Sequence, residues 1–412
     1  MRFKPVLFLL PLAVVALPIC GSTQTSQIEV LKREIQELEG QLSEIKKLYE
    51  ERILQLETRI KNLEQQQVQF SEPAQPTFPF GKNSSVAYLP DISFIGNVIG
   101  SFGTTQDNKI YLDGIEFAFG GYIFPNARAD AILGIHRHED HYETKLEEGY
   151  ISFFNLPGNF GLQAGKRLLD FGKINQMHQH HYLFVDKPLA TEAYLGEHGM
   201  IGNGASINYL FPLPFFLQAS VGYWVLEGHK CEGGQLHSFA PTADAFNARL
   251  WSSFSLSEGT EMEIGTSYLK AKGPHYSDSL EDVDDINLYG FDLTLKYQGF
   301  GFQRFLFRNE VYFLQRDRLK PGEIADEWWR KGLYSLLDYR FNQYWDAGIR
   351  YDWVESPGVE KEPNQGYSFF LTRSLTEATK FRVQTSYLTR EKDWRFYVQA
   401  LFGIGPHSHP LE

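Results

Sequence analysis

The sequence predicts an all-β transmembrane barrel of about sixteen antiparallel strands, preceded by an N-terminal α-helical coiled coil. Three observations lead to this fold class. Along the 412 residues, the spacing of apolar side chains changes from a heptad repeat to strict alternation. The connections between the predicted strands alternate between tight turns and long loops. The mean hydropathy of −0.33 excludes a bundle of apolar membrane-spanning helices.

Charge and cysteine content narrow the possible partners. The formal net charge is −12 at pH 7, and the sequence shows no basic patch of the kind that duplex nucleic acids require. We therefore expect no nucleic-acid partner. The chain has 2 cysteines, and one of them, Cys20, lies at the edge of a predicted secretion signal. A disulfide framework is not expected.

The first 22 residues have the layout of a signal peptide. Arg2 and Lys4 precede an apolar stretch over 6–17, which is the charge-then-apolar order of exported proteins. We therefore predict a signal peptide at 1–22. The position of Cys20 is typical of a lipoprotein signal, but Ile19 stands where a small residue is usual. Lipidation of Cys20 stays open.

Residues 28–67 form the predicted coiled coil. Apolar side chains step by three and four, beginning with Ile28, Leu31, Ile35 and Leu38, and this is the seam of a self-associating helix. Mixed Ile and Leu at the seam allow a trimer, so we expect a homotrimer formed through the coiled coil and the barrel. Residues 68–90 are a Pro-rich linker.

Residues 91–412 form the predicted outer-membrane barrel. In the later strands, one face is apolar and the other is charged, as where Phe381 and Val383 alternate with Arg382 and Gln384. A closed barrel with this alternation faces lipid outside and water inside, and its hydrogen bonds satisfy every backbone group. The tight turns belong on the periplasmic side. The coiled coil would then lie in the periplasm of a Gram-negative-type cell.

The longest early connection, over 173–202, carries enough apolar residues to be ordered. In strand count, loop alternation and the position of this loop, the chain resembles sixteen-stranded porins, whose loop between the fifth and sixth strands folds into the lumen. Its N-terminal coiled coil makes it look more like the phosphate-selective-porin-like group. The resemblance implies a pore that the loop narrows.

A second resemblance rests on GLQAGKRLLDFGKINQMHQHHYLFVDKPL and AYLGEHGMIGNGASINYLFP within 159–212, and on the tail GPHSH. These stretches look like bacterial barrel proteins labelled zinc-regulated TonB-dependent receptors. True receptors of that class have about 22 strands and a plug domain. Only 21–90 precede the barrel here, and most of them are coiled coil. We therefore expect no plug and no TonB-driven transport.

Charged residues on the predicted lumen face and on the loop are candidates for the pore lining, because rings of charge set the selectivity of a channel. The alternative is salt-bridged packing of the barrel wall, and the selectivity for anions or cations stays open. The candidates are Asp186, Lys187, Glu192, Glu197, Arg167, Arg249, Arg304, Arg308, Arg350, Arg382 and Arg395.

Most of the 12 histidines fall in predicted extracellular loops. Imidazole together with carboxylate suits zinc or another divalent metal, although ordinary polar loop residues would give the same pattern. The candidate ligands are His136, His138, His141, His178, His180, His181 and His198.

These observations predict a passive outer-membrane porin for small hydrophilic solutes or ions, with membrane lipid as its surroundings and no cofactor beyond a possible divalent metal. A specific uptake channel for a divalent, zinc-like metal is the first alternative. The second is an envelope tether in which the coiled coil reaches the cell wall. Nothing in the sequence matches a local catalytic motif, and we do not expect an enzyme.

Overall fold

The computed structural model describes residues 90–104, 108–138, 141–226, 244–272, 285–299, 301–318, 326–357, 362–376 and 379–405. The predicted signal peptide, the coiled coil and all but the last residue of the linker lie outside them. The strands are β1 Asp91–Gly103, β2 Lys109–Phe124, β3 Ala127–His138, β4 His141–Leu156, β5 Phe160–Leu168, β6 Ile201–Leu210, β7 Phe216–Leu226, β8 Asp244–Ser257, β9 Thr260–Lys272, β10 Asp285–Gln298, β11 Arg304–Arg318, β12 Asp326–Arg340, β13 Trp345–Glu355, β14 Pro363–Ser374, β15 Lys380–Leu388 and β16 Asp393–Ile404. Between β5 and β6 lie two 3₁₀ helices, η1 Ile174–Gln176 and η2 Gln179–His181, and the helix α1 Leu189–Leu195.

The strands form one closed antiparallel barrel. Each strand pairs with the next, and β1 pairs with β16 in a register that sets Phe94 opposite Ile404. Closure leaves no strand edge with unpaired backbone groups. The predicted count of sixteen and the closed antiparallel topology are confirmed. Among the described residues, no helix is both long and apolar enough to cross a bilayer.

The two faces of the barrel differ in polarity. Ile349, Phe369 and Phe381 point outward and are 53%, 49% and 48% exposed. Their strand neighbours Arg350 and Arg382 point inward and are 3% and 2% exposed. An apolar exterior with a polar interior is stable against lipid and unfavourable in water.

The segment 169–200 lies inside the barrel. The backbone N–H of Gly172 donates to Ser267 Oγ on β9 at 3.0 Å, and that of Val185 donates to Gln384 Oε1 on β15 at 2.7 Å. These strands stand on different sides of a closed barrel, so a segment that reaches both must run through the interior. We call 169–200 the inner loop.

The inner loop is longer at its start than predicted. The prediction put the end of the fifth strand near residue 172, whereas β5 ends at Leu168. The chain turns inward there, and Gly172 adopts a φ of 58°, which interrupts strand geometry and favours glycine.

Apolar side chains hold the inner loop in place. They form two clusters with residues of the barrel wall. The first includes Leu169, Phe171, Tyr194 and Leu195 of the loop with Trp224, Leu269, Leu288 and Tyr312 of the strands. The second joins Ile174, Met177, Tyr182, Leu183 and Phe184 to Leu306, Tyr334, Leu336 and Phe370. Much of the barrel interior is therefore a packed core.

Candidate functional site

A cavity of about 240 Å³ lies between the inner loop and the inward face of β2, β3 and β4. We call it the lumen cavity. Its wall is polar, with acidic, basic and imidazole side chains. It is lined by Asp113, Glu116, His136, Arg137, Glu147, Leu168, Met177, His178, Gln179, Tyr182, Lys187, Glu192, Glu197, His198 and Ile201.

Two β-bulges bring acidic side chains to this wall. In the first bulge, on β2, Asn97 of β1 pairs with Gly114 and Val98 pairs with Leu112, so the pairing skips Asp113. In the second bulge, on β4, the pairing with β3 skips Glu147. A bulge inserts one residue and re-aims its side chain. Asp113 accepts a hydrogen bond from Asn97 Nδ2 at 2.9 Å. Both skipped carboxylates line the cavity.

The bulge in β4 also explains why two consecutive glutamates act on the same side of the sheet. In a regular strand, Glu147 and Glu148 would point to opposite faces. Here Glu147 Oε2 lies 3.3 Å from His178 Nδ1, and Glu148 Oε2 lies 3.4 Å from His178 Nε2. Glu148 also accepts the backbone N–H of Leu168 at 2.6 Å, which fixes its orientation.

Two glycines make room for these side chains. Gly114 pairs with His136, and Gly134 pairs with Glu116. A Cβ added at Gly134 would overlap Glu147 and the His136 ring, and one at Gly114 would also meet the ring. The missing side chains therefore leave the space that the histidine and glutamates occupy.

His178 sits where three carboxylates converge. Its Nδ1 lies 3.5 Å from Glu116 Oε2 in addition to the two contacts above. Burial alone would lower the pKa of His178, but the charge of Glu116 and the hydrogen bonds with Glu147 and Glu148 raise it well above its ordinary value. The three carboxylates therefore favour the protonated, positively charged form of the His178 ring.

The other predicted histidines divide into two groups. His136 bonds to Glu147, and its ring centroid lies 6.3 Å from that of His198 across the cavity. His180 Nδ1 lies 3.2 Å from Glu116 Oε2, and its ring contacts that of His181 at 4.1 Å. By contrast, the backbones of His138 and His141 pair at the far end of β3 and β4. His141 is exposed and does not line the cavity.

The predicted pore-lining set is also divided by the structure. Lys187, Glu192 and Glu197 line the cavity. Burial lowers the pKa of Lys187 to about 8, although the charges of Glu192 and Glu197 act in the opposite direction. Burial raises the pKa of Glu192, and the charges of Glu197 and Asp186 add to that effect.

The predicted arginines hold the wall and the inner loop together. Arg249, Arg308, Arg350 and Arg382 are nearly fully buried and do not line the cavity. Arg249 forms two hydrogen bonds to Asp292 at 2.7 and 2.9 Å, and Arg382 donates to the Phe184 carbonyl oxygen at 3.1 Å. The rest have carboxylate partners, which are Asp170 for Arg167, Asp338 for Arg304 and Asp393 for Arg395.

Glu310 on β11 fixes the start of the inner loop. Its carboxylate accepts the backbone N–H groups of Lys173 and Ile174 at 3.2 and 2.8 Å. It also accepts the hydroxyls of Tyr312 and Tyr334 at 2.8 and 2.7 Å. Four donors on one buried carboxylate make a rigid anchor for the turn that leads to His178.

Several residues of the site were missed in the sequence. Asp113, Glu116, Glu147 and Glu148 lie on strands, outside the histidine-rich segments from which the candidate ligands come. Glu116 could have been found, because it alternates with the outward side chains of Ile115 and Phe117 on β2. Glu147 could not, since its inward position depends on a bulge that the alternation does not reveal.

Comparison with other proteins relates the chain to porins through its fold. No family model matches the sequence. An uncharacterized protein of Aquifex aeolicus (strain VF5) is 28% identical over 304 residues, which is 65% of this chain and 64% of that protein. The match thus spans less than two thirds of the relative's length.

Solved structures with similar folds include a porin and another outer-membrane channel. The anion-selective porin from Comamonas acidovorans superposes with a TM-score of 0.54, at 10% identity, over 76% of this chain and 100% of that one. The outer membrane channel DcaP of Acinetobacter baumannii gives 0.53 at 11% identity, over 79% and 99%. Salmonella typhi OmpF, solved with daunomycin, gives 0.50 at 12% identity, over 76% and 97%. At these identities the likeness shows a common barrel fold and leaves selectivity to be argued from the residues.

Proposed function

We propose that the protein is an outer-membrane channel for passive diffusion of small hydrophilic cations, narrowed by the inner loop. The barrel fold it has in common with outer-membrane porins and channels supports the location, as does the apolar exterior. The inner loop supports the narrowing, because it occupies much of the interior and leaves the lumen cavity along β2–β4.

The balance of charge in the lumen cavity carries the preference for cations. Five carboxyl groups line it, from Asp113, Glu116, Glu147, Glu192 and Glu197. They outnumber the cations of Arg137, Lys187 and the His178 ring, whose protonation the surrounding carboxylates favour. Negative charge on the walls of a narrow, low-dielectric passage concentrates cations and repels anions.

The arginine-rich side of the interior does not cancel this charge. Arg350 is paired with both Asp186 and Asp352, and Arg249 with Asp292. These cations are buried and compensated by neighbouring carboxylates. A permeating ion in the lumen cavity therefore meets mainly acidic groups.

The test is single-channel recording of the purified full chain in a planar bilayer under a KCl gradient. We expect discrete conductance steps and a reversal potential that shows preference for K⁺ over Cl⁻. Glu192→Gln/Glu197→Gln should reduce the preference, whereas Glu258→Gln, in the exposed turn between β8 and β9, should leave it unchanged. A silent barrel, or a preference for Cl⁻, would contradict the proposal.

We further propose that the chain assembles as a homotrimer through the predicted coiled coil at 28–67 and the barrel. Deletion of 28–67 should release monomers, measured by mass photometry in detergent. Persistent trimers would assign assembly to the barrel alone.

The tethering role has a separate test, which is binding to isolated cell wall. Tethering is supported if the full chain is retained on the cell wall and the chain that lacks 28–67 is not.

A further inference from the structure

We propose that Glu116, Glu147 and His178 form a binding site for a divalent first-row transition metal ion at the wall of the lumen cavity. One ligand atom from each of the three residues can be chosen so that all lie within 4.8 Å of one another. This site would bind the permeating ion, so the inference rests on the proposed function. It adds to that function the class of cation for which the channel would be specific.

The distances between the ligand atoms are compatible with one metal ion bound among them, and they are longer than most charge-assisted hydrogen bonds. His178 Nδ1 lies 3.3 Å from Glu147 Oε2 and 3.5 Å from Glu116 Oε2. Charge-assisted hydrogen bonds are usually about 2.7–2.9 Å long. Ligands at about 2.1 Å from a tetrahedral ion are about 3.4 Å apart, so one ion placed among these atoms would satisfy both separations.

Each ligand is held by a second partner. His178 directs Nε2 to Glu148 Oε2 at 3.4 Å, which leaves Nδ1 to face the two other carboxylates. Glu147 uses its second oxygen for His136. Glu116 Oε2, the oxygen that faces His178 Nδ1, also lies 3.2 Å from His180 Nδ1. Carboxylate–histidine–metal relays of this kind orient the imidazole and strengthen metal binding.

The composition of the site selects the kind of ion. Two carboxylates match the charge of a divalent cation, and an imidazole nitrogen favours zinc, nickel, cobalt or copper over magnesium and calcium, which prefer all-oxygen sites. Nδ1 must offer its lone pair, so any proton held there leaves when the ion binds. Three protein ligands leave a position for water, which suits an ion that must enter and leave.

The position of the site allows access. The side chains of His178, Glu116 and Glu147 are 14%, 13% and 13% exposed, and all three line the lumen cavity. An ion could reach them from water without unfolding the loop. The strand-borne glutamates come from β2 and from the bulge in β4, so the rigid wall supplies two ligands and the inner loop supplies the third.

The experiment is titration of the purified full chain in detergent with ZnCl₂ and, separately, CoCl₂. We expect one high-affinity ion per chain and a visible Co²⁺ absorption band of a low-coordinate site. Glu147→Gln and Glu116→Gln preserve side-chain shape and should each weaken zinc binding at least tenfold and abolish the band. His141→Ala, at an exposed histidine outside the cavity, is the matched control and should bind as the wild type.

Two outcomes would overturn the site, namely no stoichiometric zinc binding, or equal binding by wild type, Glu116→Gln and Glu147→Gln. Heat-modifiability on gels shows that the variants are folded.

Conductance in KCl with EDTA distinguishes the proposed metal site from the proposed channel function. Cation-selective conductance without zinc binding rejects only the metal site, whereas zinc binding by a silent barrel rejects only the channel. Micromolar Zn²⁺ should reduce the K⁺ current of the wild type and leave that of Glu147→Gln unchanged.

Discussion

Arg350 on β13 holds Asp186 of the inner loop through two hydrogen bonds, from Nη2 to Asp186 Oδ1 at 3.0 Å and from Nη1 to the Asp186 carbonyl oxygen at 2.7 Å. Its Nε donates to Asp352 Oδ2 at 2.7 Å, so one guanidinium joins the loop to a carboxylate of the wall. The Arg350 guanidinium also lies over the Phe184 ring, 4.4 Å from its centroid. Together these contacts fix the inner loop to β13, on the side of the barrel away from the β2–β4 wall of the lumen cavity.

Asp186→Asn should loosen the inner loop. The substitution removes the charge that Arg350 and Gln384 both contact, and we expect a loss of about 1–3 kcal/mol in the free energy of unfolding, measured with urea in detergent. Single-channel conductance should rise, because the loop is less firmly held against β13 and β15. Asp91→Asn is the control, since its ion pair with Arg128 lies at the exposed end of β1. Equal effects of the two variants would refute the anchoring role.

Glu310→Gln should destabilise the start of the inner loop. In the wild type, the donors around Glu310 all meet carboxylate oxygens. In the variant, an NH₂ group replaces one of these oxygens, and each buried donor left without an acceptor costs about 1–3 kcal/mol. Tyr334→Phe removes only one of the four donors and should cost less. The measurement is the urea midpoint of barrel unfolding. If Glu310→Gln is no worse than Tyr334→Phe, the carboxylate does not organise the turn.

Sequence alternation was sufficient to predict the barrel because one face of each strand must meet lipid and the other the interior, so Phe381 and Arg382 reveal their faces by spacing alone. It was not sufficient for the site. The inward position of Glu147 depends on a bulge, and the convergence of Glu116 and His178 depends on how the inner loop folds back. His178 and Lys187 were found from their residue types, whereas their partners come from strands distant in sequence.

Gly134→Ala should disturb the lumen cavity. The added Cβ would overlap the Glu147 carboxylate and the His136 ring, so both side chains must shift from their present positions. Overpacking of this kind costs about 1–3 kcal/mol, which a urea titration would detect. Gly121→Ala on the neighbouring strand is the matched control, because its nearest atom is Pro90 Cα at 3.8 Å. A Gly134→Ala variant as stable as Gly121→Ala would contradict the packing argument.

Lys187 should make the selectivity of the channel depend on pH. Burial lowers its pKa to about 8, whereas lysine in the unfolded chain titrates near 10.5. Below about pH 8 the ammonium is present and offsets part of the acidic charge of the lumen cavity. As the pH rises through 8, Lys187 loses its proton in the folded state, and the cavity becomes more negative.

The preference for K⁺ over Cl⁻ should therefore increase between pH 7 and pH 9, measured from reversal potentials in a KCl gradient. Lys187→Met should show the higher preference already at pH 7 and a smaller change with pH. The lowered pKa of Lys187 also makes the free energy of unfolding depend on pH. Between about pH 8 and 10.5 the unfolded chain binds more protons than the folded one, so stability rises with pH in that window, and Lys187→Met should remove this rise. A wild-type reversal potential that stays constant from pH 7 to pH 9 would show that Lys187 does not contribute to the field along the ion path.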